Sequence, residues 1–288
     1  MALTVTTEKC LNCRAPLHGA FCSSCGQRAV GPYPTVREMI GDAWQELSGY
    51  DGRFIGTFRL LLSRPGALTV DTLEGRRVRY ITPVRLYLVA SIFYFLCAAA
   101  IPNLRTPPAA TLPGSDELVV RFDPSGNTNL TAEQRQEALE RIKRAPWWAQ
   151  AILRPALTDP QFFRKHFTEA LPRVLFALVP VFAAIVALFY RRRRFPQHLV
   201  FAIHLHAMIF VTLAIRELSQ VMRSIAILRV FEIGAAIAIV AYALVAFRRV
   251  YGESWPRVVL KSAGIAALYG VAGICALLVT VIWAVAAG

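Results

Sequence analysis

Cysteine is almost missing from this chain after residue 25. Four of the six cysteines fall within the first 25 residues, and the other two, Cys97 and Cys275, lie inside apolar runs. This distribution excludes a dispersed disulfide framework and makes the paired thiols metal ligands of a reducing compartment. The opening MALTVTTEKCLNC lacks an apolar run, so no cleavable signal peptide is expected, and the N-terminus is placed in the cytoplasm. Acidic residues are scarce: 18 Asp and Glu stand against 32 Lys and Arg, a formal net charge of +14. No internal repeat stands out, and no catalytic or organic-cofactor-binding residue is assigned.

What the chain has in excess is apolar surface. Of its 288 residues 56% are hydrophobic, where soluble domains hold roughly 45–50%. High apolar content with high positive charge fits a nucleic-acid binder or a membrane protein whose cytoplasmic loops hold Lys and Arg. The position of the charges decides. A hydrocarbon core ~30 Å thick needs roughly 20 apolar helical residues. Five runs qualify: Val84–Ile101, Leu171–Tyr190, His198–Ile215, Ile225–Phe247 and Ala263–Ala287. With the N-terminus inside, the inner segments Met1–Pro83, Arg191–Gln197 and Arg248–Ser262 hold ten, four and four Lys/Arg. The short outer segment Arg216–Ser224 holds two, and Gly288 lies outside. The loop 102–170 holds nine, but it exceeds the ~60-residue length over which the positive-inside rule works. The expected protein is a multi-pass protein of the bacterial inner membrane, N-terminus cytoplasmic and C-terminus outside.

The remaining segments read as helices and linker. Val36, Met39, Ile40, Ala43, Trp44 and Leu47 form one apolar helix face, with Thr35 and Glu38 spaced as a capping box. Phe54, Ile55, Phe58, Leu61 and Leu62 form a second such face beside Arg53, Arg59 and Arg64. That pattern suits a helix in the headgroup region and equally a helix packed on the protein's own bundle. Arg76, Arg77, Arg79 and Arg85, flanking the first span, are candidate lipid-headgroup contacts. In 102–170, a Pro-rich start precedes a short strand at 118–122 and a helix in TAEQRQEALERIKRA, and Trp147, Trp148, Phe162 and Phe163 suit the membrane interface.

Two clusters carry chemistry. Cys10, Cys13, Cys22 and Cys25 form two Cys-x-x-Cys pairs, which place four thiolates for a tetrahedral Zn²⁺. Four protein ligands close the coordination shell, so the site is structural, and in so small a ribbon the metal supplies the folding energy. A four-thiolate iron centre and a redox dithiol pair are the alternatives. The second cluster is His198, His204 and His206 in the third span, with Glu232 in the fourth. Polar groups at membrane depth are functional candidates. At 100° per residue His198 and His206 stand about 80° apart while His204 points elsewhere, so one helix cannot gather all three. No His-Glu-x-x-His spacing is present, and helix packing is the competing role.

The ordered set Cys-x-x-Cys…FCSSCGQ, Arg64–Gly66, EGRRVRYITPVRLYL and HLVFAIHLHA resembles a bacterial family of small integral membrane proteins catalogued as domain of unknown function 3667. The resemblance implies that Cys10, Cys13, Cys22 and Cys25 fill the positions of a zinc ribbon, and it implies no activity. The expected fold is an all-α membrane protein: a four-cysteine zinc ribbon (1–30), cytoplasmic amphipathic helices (31–83), a first span (84–101), an extracytoplasmic loop (102–170) and a four-span bundle (171–288). The expected role is a membrane adaptor, scaffold or lipid-associated protein, with membrane lipids and a cytoplasmic protein reached through the ribbon as partners. The alternative is a transporter or metalloenzyme that uses the intramembrane histidines and juxtamembrane arginines on an anionic or lipid ligand. Nucleic acid ranks last, because Cys10 to Cys25 holds one Arg and one Phe.

Overall fold

The computed structural model describes residues 9–29, 35–36, 52–100, 132–144, 150, 158, 160–219 and 225–286, with the backbone alone at 132, 134, 135, 138, 160–168, 225–232, 281 and 284–286. Every extended element among them is a helix: α1 Arg53–Ser63, α2 Ala67–Leu73, α3 Pro83–Ala100, α4 Ala132–Ile142, α5 Pro160–Phe189, α6 Phe195–Ser219, α7 Ile225–Tyr251 and α8 Trp255–Ala286. Five stretches are long and apolar enough to cross a membrane: Pro83–Ala100, Glu169–Phe189, Phe195–Ser219, Ile233–Tyr251 and Trp255–Thr280. The protein is therefore an all-α, multi-pass membrane protein with a four-cysteine cluster near its N-terminus. Beyond Val36 the helix expected over 36–47, the strand at 118–122, the Trp147–Trp148 pair and the side chains of Phe162 and Phe163 lie outside the described residues.

The contacts form two compact units, Met1–Ile101 with Val179–Leu268, and Pro102–Leu178 with Tyr269–Gly288. In the second unit α4 places Glu133 in its first turn and Arg141 in its last, which suits the helix dipole. The first unit combines the cysteine module, α1, α2 and the core of the bundle.

Helix boundaries follow from local chemistry. Pro65 and Gly66 stop α1, and Gly66 takes a left-handed φ of 74°. An added Cβ there would lie 3.0 Å from the Ala246 Cα and 3.1 Å from its carbonyl oxygen, so only glycine lets the turn rest on α7. Pro83 opens α3, where its fixed φ and missing N–H cost nothing. Gln197 caps α6 by accepting from the Arg194 N–H at 3.1 Å, while its own N–H donates to the Arg194 carbonyl at 3.0 Å. Gly252, at φ 71°, caps α7 by donating to the Arg248 carbonyl.

The central helix is α6. Its apolar window is 67% buried, against 11–33% for the other four. Those four keep large side chains such as Ile92, Leu96, Ile237, Val271 and Ile274 exposed, which suits hydrocarbon and not water. Tyr87, Tyr94 and Phe95 of α3 surround Phe210, and Cys97 packs on Ala214, so these contacts fall on the second half of α6. Thr69 of α2 meets the first half. Of the two settings the α1 pattern allowed, the bundle takes Thr57 and Leu61, which are buried, while Ile55 and Leu62 stay exposed.

The inner segment Arg248–Ser262 is mostly helical: α7 and α8 are joined by Gly252–Ser254 alone. Arg248, Arg249, Arg257 and Lys261 are helical residues, whose long side chains reach polar surroundings from helix ends.

Candidate metal centre and its seat

Each Cys-x-x-Cys pair closes a tight hairpin. In the first, the Cys10 N–H donates to the Ala15 carbonyl and the Arg14 N–H to the Cys10 carbonyl, both at 2.8 Å, and an antiparallel bridge joins Lys9 to Pro16. In the second, the Cys22 N–H donates to Gln27 at 2.8 Å, the Gly26 N–H to Cys22 at 2.9 Å, and the bridge joins Phe21 to Arg28. The residue after each second cysteine is left-handed, Arg14 at φ 65° and Gly26 at φ 71°. The two hairpins are one unit repeated at a twelve-residue offset. Within them only the cysteines are identical, which hides the repeat in the sequence.

The repeat brings four sulfurs together. Cys10 and Cys25 Sγ lie 3.6 Å apart, Cys13 and Cys22 Sγ 3.5 Å apart, and all four lie within 4.8 Å of one another. Four sulfurs bound at ~2.3 Å around one tetrahedral ion stand about 3.8 Å apart, so this donor set fits a single metal ion. Cys10, Cys13, Cys22 and Cys25 would hold it, and the closed shell leaves it a folding role and no open position.

The thiols are electrostatically unequal. The Ala15 backbone acts to lower Cys13, but desolvation and hydrogen bonding with Cys22, Cys25 and Cys10 push it up to about 12. Desolvation works to raise Cys25, yet hydrogen bonds from the Asn12 side chain and the Gln27 backbone, with Cys13 and Cys10, bring it down to about 6. The Ser24 backbone leads the pull of Cys22 downwards. Like charges this close cannot all ionise unaided. A bound divalent cation is the charge that would let them.

The module rests on a built seat. Gln27 is buried, and its Nε2 donates to the Gly75 carbonyl at 2.8 Å. Its Oε1 accepts from the N–H groups of Arg77 at 3.3 Å and Val78 at 3.5 Å. Gly75 has φ 85°, and a Cβ there would lie 2.6 Å from the Leu11 Cδ1, so Leu11 packs flat on a residue that must be glycine. The first hairpin thus contributes Leu11 and the second Gln27. Around them, Arg76 pairs with Asp71 at 2.6 Å and with Glu74, and Tyr80 donates to Asp71 at 2.7 Å. Desolvation, followed by the Asp71 hydrogen bond, raises the Tyr80 phenol above its ordinary range. The Asp71 hydrogen bond likewise raises Arg76. Arg53 reaches the Val78 carbonyl at 3.0 Å, and Thr57 accepts from the Ile81 N–H at 3.2 Å.

Residues 51–95 match the family described as Protein of unknown function (DUF3667). The match covers α1, α2, the Glu74–Thr82 turn and most of α3. It is the seat that resembles the family, and the match does not reach the cysteines. No curated protein and no solved structure matches the chain.

The seat also reaches into the bundle. Tyr242 of α7 donates to the Leu61 carbonyl at 2.7 Å, and Arg249 donates to the Pro65 carbonyl. Thr69 is hydrogen-bonded to His204 Nδ1 at 3.0 Å, with both residues buried. His204 therefore faces α2. His198 Nδ1 bonds the Tyr251 hydroxyl at 2.8 Å, facing α7. His206 Nδ1 donates to the Ala202 carbonyl of its own helix at 2.8 Å, its ring edge-on to Phe182 of α5. The three histidines engage three different elements and share no partner among these bonds. Glu232 lies nineteen residues before Tyr251, roughly 28 Å along α7 from the level of His198. Its side chain is outside the described set.

The four arginines divide as well. Arg76 is paired within the protein, and Arg85 is buried with its guanidinium 4.8 Å from the Phe54 ring centre. Arg77 is half-buried beside Gln27, and Arg79 is exposed. Sequence reasoning missed Leu11, Gln27, Thr69, Asp71 and Tyr251. A glutamine immediately after a Cys-x-x-Cys-Gly turn carries no mark of its partner, which lies 48 residues on.

Proposed function

We propose that this is an adaptor of a bacterial inner membrane whose N-terminal module is a structural zinc ribbon on the cytoplasmic side, clasped to a lipid-associated seat. The observation that carries this reading is the Gln27 clamp. A ribbon on a free tether would position nothing, whereas this one is fixed to the turn that leads into the first span. Zinc is the proposed metal because four thiolates in a closed tetrahedral set, without a redox task, suit it. The basic segments Arg191–Arg194 and Arg248–Arg257 stand at the same end as the module, as Arg193 donating to Val250 and Arg249 donating to Pro65 support. By the positive-inside rule that end is the cytoplasmic one. Phe21 is 63% exposed on the module and gives a cytoplasmic protein partner an aromatic anchor.

A photo-crosslinking residue in place of Phe21 tests the adaptor role in intact membranes. The expected result is one discrete adduct that disappears on chelation. Diffuse labelling, or no adduct, contradicts it. The competing transporter or metalloenzyme reading requires converging histidines, and the separate partners of His198, His204 and His206 favour packing roles.

A further inference from the structure

The two basic connections at the module end enclose a second candidate site. A cavity of about 570 Å³ lies between the end of α5 and the start of α8. Five cations line it, Arg191, Arg192, Arg193, Arg257 and Lys261, against one carboxylate, Glu253. Two of the cations have work within the fold. Lys261 pairs with Glu253 at 2.6 Å and lies 4.4 Å from the Tyr190 ring centre, and Arg193 donates to the Val250 carbonyl. The side chains of Arg191, Arg192 and Arg257 make no hydrogen bond or ion pair with any described residue. The cavity therefore holds more positive charge than the fold consumes.

The wall beside them is aromatic. Tyr190 lines the cavity and is only 6% exposed, its ring 4.0 Å from Tyr251 and 5.9 Å from Phe247 between centres. Tyr251 is itself fixed by His198, which gives the polar histidine of the third span a task in setting the cavity wall.

The geometry points to an anion-binding site for a phosphate group, with Arg191, Arg192 and Arg257 as its charged donors. Arginine forks suit phosphate oxygens, and clustered arginines at a membrane surface draw anionic headgroups. Phe195 and Trp255, both more than 40% exposed at the ends of the flanking helices, mark the interface level where a phospholipid headgroup sits. A free phosphate and a phospholipid headgroup present the same oxygens, and the test separates them.

Delipidated, detergent-purified protein is melted alone, with short-chain phosphatidylglycerol, with short-chain phosphatidylcholine, and with inorganic phosphate. The variants are Arg191→Gln/Arg192→Gln and Arg192→Gln/Arg257→Gln, all at exposed positions. Metal content and elution volume confirm that each is folded. A rise of about 3 °C or more with phosphatidylglycerol and not phosphatidylcholine, with apparent affinity reduced about tenfold in the variants, supports the site with a lipid source. The same pattern with inorganic phosphate supports it with a soluble source. No shift with either probe, or shifts that the variants leave unchanged, overturns it.

Discussion

Gln27 and Gly75, 48 residues apart, are joined by a buried hydrogen bond of 2.8 Å, and that bond fastens the cysteine module to the segment entering the membrane. The module's metal centre and the family-matching seat are consequently one mechanical unit. The predictions below separate the contributions of its parts.

Gln27→Ala leaves all four thiolates in place and removes the clamp. Metal content stays at wild-type level while stability falls by about 1–3 kcal/mol, the penalty for stranding the Gly75 carbonyl and the Arg77 N–H. Elemental analysis beside a thermal melt checks both halves. Metal lost together with stability would show that Gln27 serves the centre and not the seat.

Gly75→Ala strains a φ of 85° and drives a methyl group into Leu11. The expected loss is about 1–3 kcal/mol. Adding Leu11→Ala recovers part of it by removing the steric contact, leaving the backbone strain. A double-mutant cycle with no recovery contradicts the contact.

Chelation of the purified protein removes the charge that holds four thiolates together, so the hairpins open while the bundle persists. Limited proteolysis then cuts within 9–29 and spares the helices. Simultaneous loss of helical signal would mean that the bundle depends on the module.

Thr69→Val keeps side-chain shape and deprives His204 of its partner. A loss of about 0.5–2 kcal/mol with unchanged metal content is expected for a packing histidine within a membrane bundle. A change in metal content would reinstate a metal-binding role for His204.

The orientation argued from charge is tested by a reporter active only outside the cytoplasm. Fused after Gly288 it is active, and fused after Arg192 it is silent. The reverse pattern contradicts a cytoplasmic module.

Much of this architecture is legible in sequence, for physical reasons that differ by part. Spans announce themselves because about 20 consecutive apolar residues have few other uses. Four cysteines in two tight pairs announce a metal centre because spacing alone brings their sulfurs together. The seat is not legible, because Leu11 and Gln27 carry no mark of a partner on the far side of α1 and α2. The amphipathic pattern of α1 left its setting open, since lipid and protein reward the same stripe. The structure keeps Arg248, Arg249, Arg257 and Lys261 in helices and turns the chain on Gly252. The histidines stood out as polar residues at depth, and only the positions of Thr69, Tyr251 and Ala202 reveal that each answers to a different neighbour.

The most direct test of the account is elemental analysis of the purified wild type, the Cys10→Ser/Cys13→Ser variant and Gln27→Ala. The account predicts about one zinc per chain in the wild type and Gln27→Ala, and none in the cysteine variant. A second metal equivalent, or iron, retained when Cys10 and Cys13 are replaced would contradict it and place metal chemistry among the intramembrane histidines.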